Sequence, residues 1–226
     1  HLAGRMADVR GRVGATSGLI TFTGAVTLDS EPEYRVERGT LEHVDLSALL
    51  GDTSASALNG TFSLAGRGTS KATARVDARI VASESFYGAH QLSDGHVDLF
   101  IRGEEVRLAA RTNLDGGSVD LEATGHPFAS QPGLTVRQLR FRHLDLARLA
   151  PSVGVASDLS GTGTLQAHGR RLEDMSLSSR IVLEESRVGT QRLNQGVINA
   201  SLSGGNLQLR SEVDAPEGSL AVSGVA

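Results

Sequence analysis

Two histidine–aspartate pairs, His43 with Asp45 and His143 with Asp145, have the i, i+2 spacing that sets two metal ligands on one face of a strand. A zinc-type centre needs at least a third ligand, and the sequence suggests none nearby. Each aspartate instead precedes a short apolar run, Leu46 to Leu50 (LSALL) and Leu146 to Ala150 (LARLA). That is the pattern of a helix N-cap, so the pairs read as structural. His90 and His96 flank Asp94 but are not matched later in the chain, which favours a solvated turn. Gly66 to Lys71 (GRGTSK) has the flavour of a phosphate loop without its GxxxxGK[ST] spacing, and no nucleophile elbow, HExxH or dinucleotide fingerprint occurs. The carboxylate pairs Glu104-Glu105 and Glu184-Glu185 fall in or beside turn signals and read as solubilising. The chain is read as a non-enzyme without metal or cofactor.

The aspartates belong to something larger, because the stretch that holds them occurs twice. His43, Asp45, Leu46 and Leu49 return as His143, Asp145, Leu146 and Leu149; after a one-residue insertion Leu58, Gly60, Thr61, Leu64 and Gly68 return as Leu159, Gly161, Thr162, Leu165 and Gly169. The same register carries Ser85 to Ser186, Gly95 to Gly196 and Leu108 to Leu209. A tandem structural repeat of about 100 residues follows, of the kind that buries apolar faces by stacking unit on unit. Residues 1–35 resemble the end of a preceding unit, since GLITFTG from Gly18 matches GSVDLEATG from Gly117 and GSLAVSG from Gly218; residues 36–135 are repeat 1 and 136–226 repeat 2. The expectation is one continuous array cut from a longer protein.

Period-2 alternation fills the chain, and each run reads as a half-buried strand with one apolar and one polar face. The apolar set is Ile20, Phe22, Val26 and Leu28; Phe62 and Leu64; Val76 and Ile80; Val97, Leu99 and Ile101; Val106 and Leu108; Val119 and Leu121. The second repeat continues with Leu165; Leu177, Ile181 and Leu183; Ile198 and Leu202; Leu207 and Leu209; Leu220 and Val222. Arg79 and Arg180 alternate with Ile80 and Ile181, which turns them outward. Turn signals stand at Asp94-Gly95, Gly103-Glu104, Asp115-Gly116-Gly117, Asn194-Gln195-Gly196, Gly204-Gly205-Asn206 and Pro216-Glu217-Gly218, giving an up-and-down antiparallel meander.

An all-β chain with one short helix per repeat has no helices to lay over its apolar strand faces. A closed outer-membrane barrel would carry aromatic girdles, and aromatics are only 4% here; a calcium solenoid would show Gly/Asp nonapeptides. A sheet curled into a trough and filled by apolar ligand fits best, and its Leu, Val, Ile and Ala lining suits flexible acyl chains. The net charge of -4 with scattered signs argues against nucleic acid. No apolar run approaches the roughly 18 residues that cross a bilayer. Twenty-one of the 22 basic residues are arginine, a coding bias that points to a GC-rich bacterial genome.

The Asp-Leu turns in HVDLSALL and HLDLARLA, the following LNGTFSLAGRG and LSGTGTLQAHG strands, and the endings GGSVDLEATG and GSLAVSG resemble the AsmA-like superfamily, in particular its TamB-type members. The resemblance spans essentially the whole chain and rests on degenerate patterns. It implies a tapered, U-shaped β-trough (β-taco) in a periplasmic protein anchored in the bacterial inner membrane. It further implies passage of phospholipids between inner and outer membranes, with phospholipid acyl chains as ligand. An outer-membrane barrel protein is an implied partner at one end of the parent protein. No catalytic residues carry over; what carries over is the apolar face named above. Two rivals stand beside a lipid conduit: a scaffold for outer-membrane protein assembly or secretion, receiving strands by β-augmentation, and a passive spacer filled by its own side chains.

Overall fold

The computed structural model describes residues 6–15, 18–27, 29–45, 55–150, 152, 154–169 and 174–225. The chain is an all-β antiparallel meander with a single four-residue helix among the described residues. It forms two compact units, residues 1–113 and 114–226, whose division falls ahead of the sequence boundary at 135/136.

In the first unit the strands are β1 (Met6–Ala15), β2 (Gly18–Thr27), β3 (Glu33–Val44), β4 (Ser56–Arg67), β5 (Arg75–Ala82), β6 (Ser85–Tyr87), β7 (His90–Arg102) and β8 (Glu105–Leu114). Neighbours in sequence pair from β1 to β5, and β5 pairs onward with β7. The short β6 bridges one end of β4 and β7. Asn113 of β8 donates through Nδ2 to Asp94 Oδ2 of β7 at 3.0 Å. The second unit holds β9 (Gly117–Gly125), β10 (Gly133–Leu144), helix α1 (Leu146–Leu149), β11 (Ser157–His168), β12 (Ser176–Leu183), β13 (Ser186–Val188), β14 (Gln191–Leu193), β15 (Gln195–Ser203), β16 (Asn206–Ala215) and β17 (Gly218–Val225). Its ladder runs β9–β10–β11–β12–β15–β16–β17, with β13 paired to β11 and to β14.

The alternation read from sequence survives as alternating burial. In β5 the half-buried Val76, Ala78, Ile80 and Ala82 alternate with the exposed Arg75, Asp77, Arg79 and Val81. Turns stand at Gly103–Glu104, Asp115–Gly116, Gly204–Gly205 and Pro216–Glu217 as expected. Two turn signals are corrected. Asp94-Gly95 lies inside β7, where Asp94 takes φ 51 and Gly95 stays in register opposite Ala82. Gln195-Gly196 lies inside β15 with Gly196 opposite Leu183. The residues that reverse a chain also supply the positive φ of a kink within a strand, and only cross-strand pairing tells the two apart.

Helix α1 begins as expected. The Asp145 carboxylate accepts from the Ala147 N–H at 3.0 Å and Ala150 closes the C-terminus. The expected first helix at Leu46 to Leu50 and the stop at Pro151 lie outside the described residues. The largest buried cluster sits beside α1: Phe141, Leu159 and Leu183, with Leu146 of the helix and Val188 and Leu193 of the β13–β14 hairpin packed against them. Elsewhere among the described residues only Val44 and Ala123 join the buried hydrophobic set.

Candidate functional site

Cross-strand registers place the expected apolar positions on one face in each unit. Directly opposed residues of antiparallel strands share a face, so each chain of partners is a row across the sheet. In the first unit Phe22 faces Gly39, Gly39 faces Phe62, Phe62 faces Ile80 and Ile80 faces Val97. The next rows hold Val36, Leu64, Ala78 and Leu99, then Val26, Tyr34, Gly66, Val76 and Ile101; Ile20 opens a further row opposite Leu41. Val106 and Leu108 are half-buried and alternate with the exposed Arg107. Leu28 lies outside the described residues.

The second unit repeats the arrangement. Val119, Phe141, Gly161, Leu183, Gly196, Val213 and Leu220 form one row, and Leu121, Leu139, Gly163, Ile181, Ile198, Ser211 and Val222 the next. Leu165 and Leu209 share a third row with Ala200, and Leu177, Leu202 and Leu207 a fourth. Every row in both units is free of Asp, Glu, Lys, Arg and His among the described residues. Coverage is uneven: most members are half-buried, whereas Leu207, Leu209, Leu220 and Val222 are 42% to 65% exposed, because they stand on the last two strands of the ladder.

Aromatic rings on this face lie over glycines of the adjoining strand. Phe22 covers Gly11, Phe62 covers Gly39, Tyr34 covers Gly66, and Phe141 lies over Gly161. A Cβ at Gly11, Gly39 or Gly66 would collide with the ring, so glycine keeps the face smooth where an aromatic would otherwise stand up from it. These pairs escape sequence reading, since each partner sits 11 to 32 residues away and register alone reveals it.

The opposite face carries the charge. Arg79 Nε donates to Asp98 Oδ1 at 2.7 Å, and Arg102 pairs with Asp77. Asp98 raises Arg79 above the usual guanidinium value through this hydrogen bond first and Coulomb attraction second, and Glu105 does the same to Arg107. Arg79 therefore points away from the apolar rows, as its alternation with Ile80 requires.

The repeated His–Asp pairs hold backbone. His43 (φ 51) and His143 (φ 55) take left-handed conformations where the β3–β4 and β10–β11 registers slip. Their N–H groups donate to Asn59 Oδ1 at 2.8 Å and Ser160 Oγ at 3.2 Å. Asp45 accepts from the Ser56 N–H at 3.2 Å and hydroxyl at 2.9 Å, and Asp145 accepts from the Ser157 N–H at 2.8 Å. The sequence marks Ser85 and Ser186 as recurrent without giving them a task. Both are buried hydroxyls, accepting from the N–H of Asn59 (3.0 Å) and Ser160 (3.1 Å). His143 Nδ1 lies 2.9 Å from Asp158 in an open polar depression of about 540 Å³. Its ring is 72% exposed, and the neighbouring hydroxyls of Ser160 and Ser186 are engaged with backbone. No group of three metal-ligating side chains occurs among the described residues.

Comparison with protein-family models, curated proteins and solved structures gives no match. What the face can do must come from its own chemistry. Among the described residues the large hydrophobics that reach solvent include Phe100, Leu134, Leu207, Leu209, Leu220 and Val222.

Proposed function

We propose that this chain is a segment of a hydrophobic groove that carries phospholipids between the inner and outer membranes of a bacterial cell. In this reading the parent protein is periplasmic and anchored in the inner membrane, and the repeats at 36–135 and 136–226 curl into one U-shaped trough. The observation that carries the reading is the set of apolar rows without a single Asp, Glu, Lys, Arg or His among the described residues of either unit. An acyl chain gains about 0.8 kcal/mol per methylene removed from water, so a few covered methylenes hold it. Successive strands present the same kind of surface every 4.7 to 4.9 Å or so. Neighbouring positions along a row are close in energy, and a bound chain slides without a deep trap. The headgroup stays in water at the open edge, so no fixed polar anchor selects one lipid.

The test is native mass spectrometry of the purified chain followed by solvent extraction. Phospholipid in more than trace stoichiometry is expected, and its loss in the Leu99→Asp/Leu202→Asp variant with the far-UV circular dichroism spectrum retained. A lipid-free mass with unchanged thermal stability before and after incubation with phospholipid vesicles would sink the idea and leave the scaffold and spacer readings.

A further inference from the structure

Across β4, β5 and β7 the register sets three arginines side by side: Arg67 stands opposite Arg75, and Arg75 opposite Arg102. They close their strands, since β4 ends at Arg67, β5 opens at Arg75 and β7 ends at Arg102, and all three are exposed. Directly opposed residues have Cβ atoms about 4.5–5.5 Å apart, and like charges so placed destabilise a sheet. Arg102 is relieved by Asp77 and by the carbonyls of Val76 at 3.1 Å and Ile101 at 2.8 Å. Among the described residues the guanidiniums of Arg67 and Arg75 have neither an ion pair nor a hydrogen bond. Lys71, the one lysine of the chain, adds a cation in the β4–β5 connection, within the GRGTSK stretch. That connection passes the end of β7, because a Cβ on Gly103 would lie 3.2 Å from the Ala72 carbonyl oxygen. The carboxylates here are Glu33 opposite Arg67, the engaged Asp77, and Glu104 in the turn after Arg102. In the second unit the counterpart row is Gly133, His168, Ser176 and Ser203. It holds no arginine, so the fold does not require the cations.

One residue inward from these arginines runs the apolar row of Tyr34, Gly66, Val76 and Ile101. We propose that Arg67 and Arg75 form a seat for a phosphate group, that of a phospholipid whose acyl chains lie along this row. Guanidinium forks give paired N–H donors to phosphate oxygens, and an anion between two of them turns their repulsion into attraction. The seat recognises the phosphate that every phospholipid carries and does not select one headgroup. Both side chains are exposed, so the seat is shallow and lets the lipid move on. The lipid as source of the phosphate rests on the groove reading; the affinity for phosphate does not.

The test is NMR titration of the whole chain at constant ionic strength, reading the arginine Nε–Hε signals and the methyls of Val76 and Ile101. Two probes separate the sources: dimethyl phosphate, a phosphodiester without acyl chains, and dihexanoylphosphatidylglycerol below its micelle concentration. Dimethyl phosphate should shift Arg67 and Arg75 saturably, at least about threefold more than the exposed Arg137 and Arg142 of the second unit. The lipid should also move the two methyls and bind at least about tenfold tighter, a factor that a few covered methylenes supply. Arg67→Gln/Arg75→Gln should weaken lipid binding about tenfold, read at the methyls, with an unfolding midpoint no lower than wild type because a like-charge pair is gone. Arg137→Gln/Arg142→Gln makes the same change in net charge and should leave lipid binding as it was. Lipid that binds Arg67→Gln/Arg75→Gln as tightly as wild type overturns the seat while the groove stands. Arginine shifts with dimethyl phosphate but no methyl shift with lipid sink the groove and, with it, the lipid as source, leaving a site for a free phosphate ester. Equal shifts at all four arginines mean charge screening alone and overturn the seat.

Discussion

Buried hydroxyls at Ser85 and Ser186 hold the backbone where β4 and β11 pass the short strands β6 and β13. Ser186 Oγ accepts from the Ser160 N–H and donates to the Ser160 carbonyl at 3.2 Å. Removing it strands the Ser160 N–H, while the Ser160 carbonyl keeps the Glu184 N–H at 2.9 Å, so Ser186→Ala should cost about 1–3 kcal/mol, read as a lower urea midpoint at unchanged slope. Arg79→Ala removes an exposed ion pair and should leave the midpoint nearly where it was. A midpoint for Ser186→Ala equal to wild type would show that water reaches Ser160. This task was only half legible in the sequence. The recurrence of Ser85 as Ser186 is plain, but a hydroxyl serving backbone looks like any other serine until its surroundings are known. The histidines show the other side: their spacing beside aspartate brings a metal to mind, the missing third ligand makes them read as structural, and their left-handed φ values place them at a bulge that no sequence pattern marks.

Between neighbouring strands, glycine and aromatic residues act as pairs. Gly39→Ala should push the Phe62 ring off its seat and destabilise the chain by about 1–3 kcal/mol. In a Phe62→Ala background the same change should be close to neutral, giving a coupling of about 0.5–3 kcal/mol in a double-mutant cycle. Additive effects would mean that the ring has room elsewhere. Strand existence and facing were readable at this level because period-2 alternation is a local property. Val76, Ile80, Val97 and Leu99 could each be assigned to the apolar face before any partner was known. Register was not readable, and with it went the ring-over-glycine contacts and the status of Asp94-Gly95. A dipeptide that ends hairpins elsewhere here kinks β7 without reversing it, which only the pairing of Gly95 with Ala82 decides.

At the level of the whole chain, fold class followed from the absence of any helical period long enough to cover a sheet, and the structure is all-β as that implies. The buried hydrophobic residues are few, Val44, Ala123, Phe141, Leu159 and Leu183 among those described. Three of the five gather beside helix α1, where the helix and the β13–β14 hairpin fold over the face. The apolar rows therefore reach the solvent in the native chain. Unfolding uncovers less new hydrocarbon than it does in a compact protein, and the heat capacity changes less. Ordinary globular chains gain about 12–15 cal/mol/K per residue on unfolding, or about 3 kcal/mol/K for one this long. Scanning calorimetry of the lipid-free chain should give an increment well under that, with a correspondingly flat stability curve that loses little on cooling. Loading with phospholipid should raise the increment, because melting would then also expose to water the strand face that the acyl chains had covered. The thermal response of this protein would thus report whether its face is dry or wet, with stability most sensitive to temperature when the cargo is aboard.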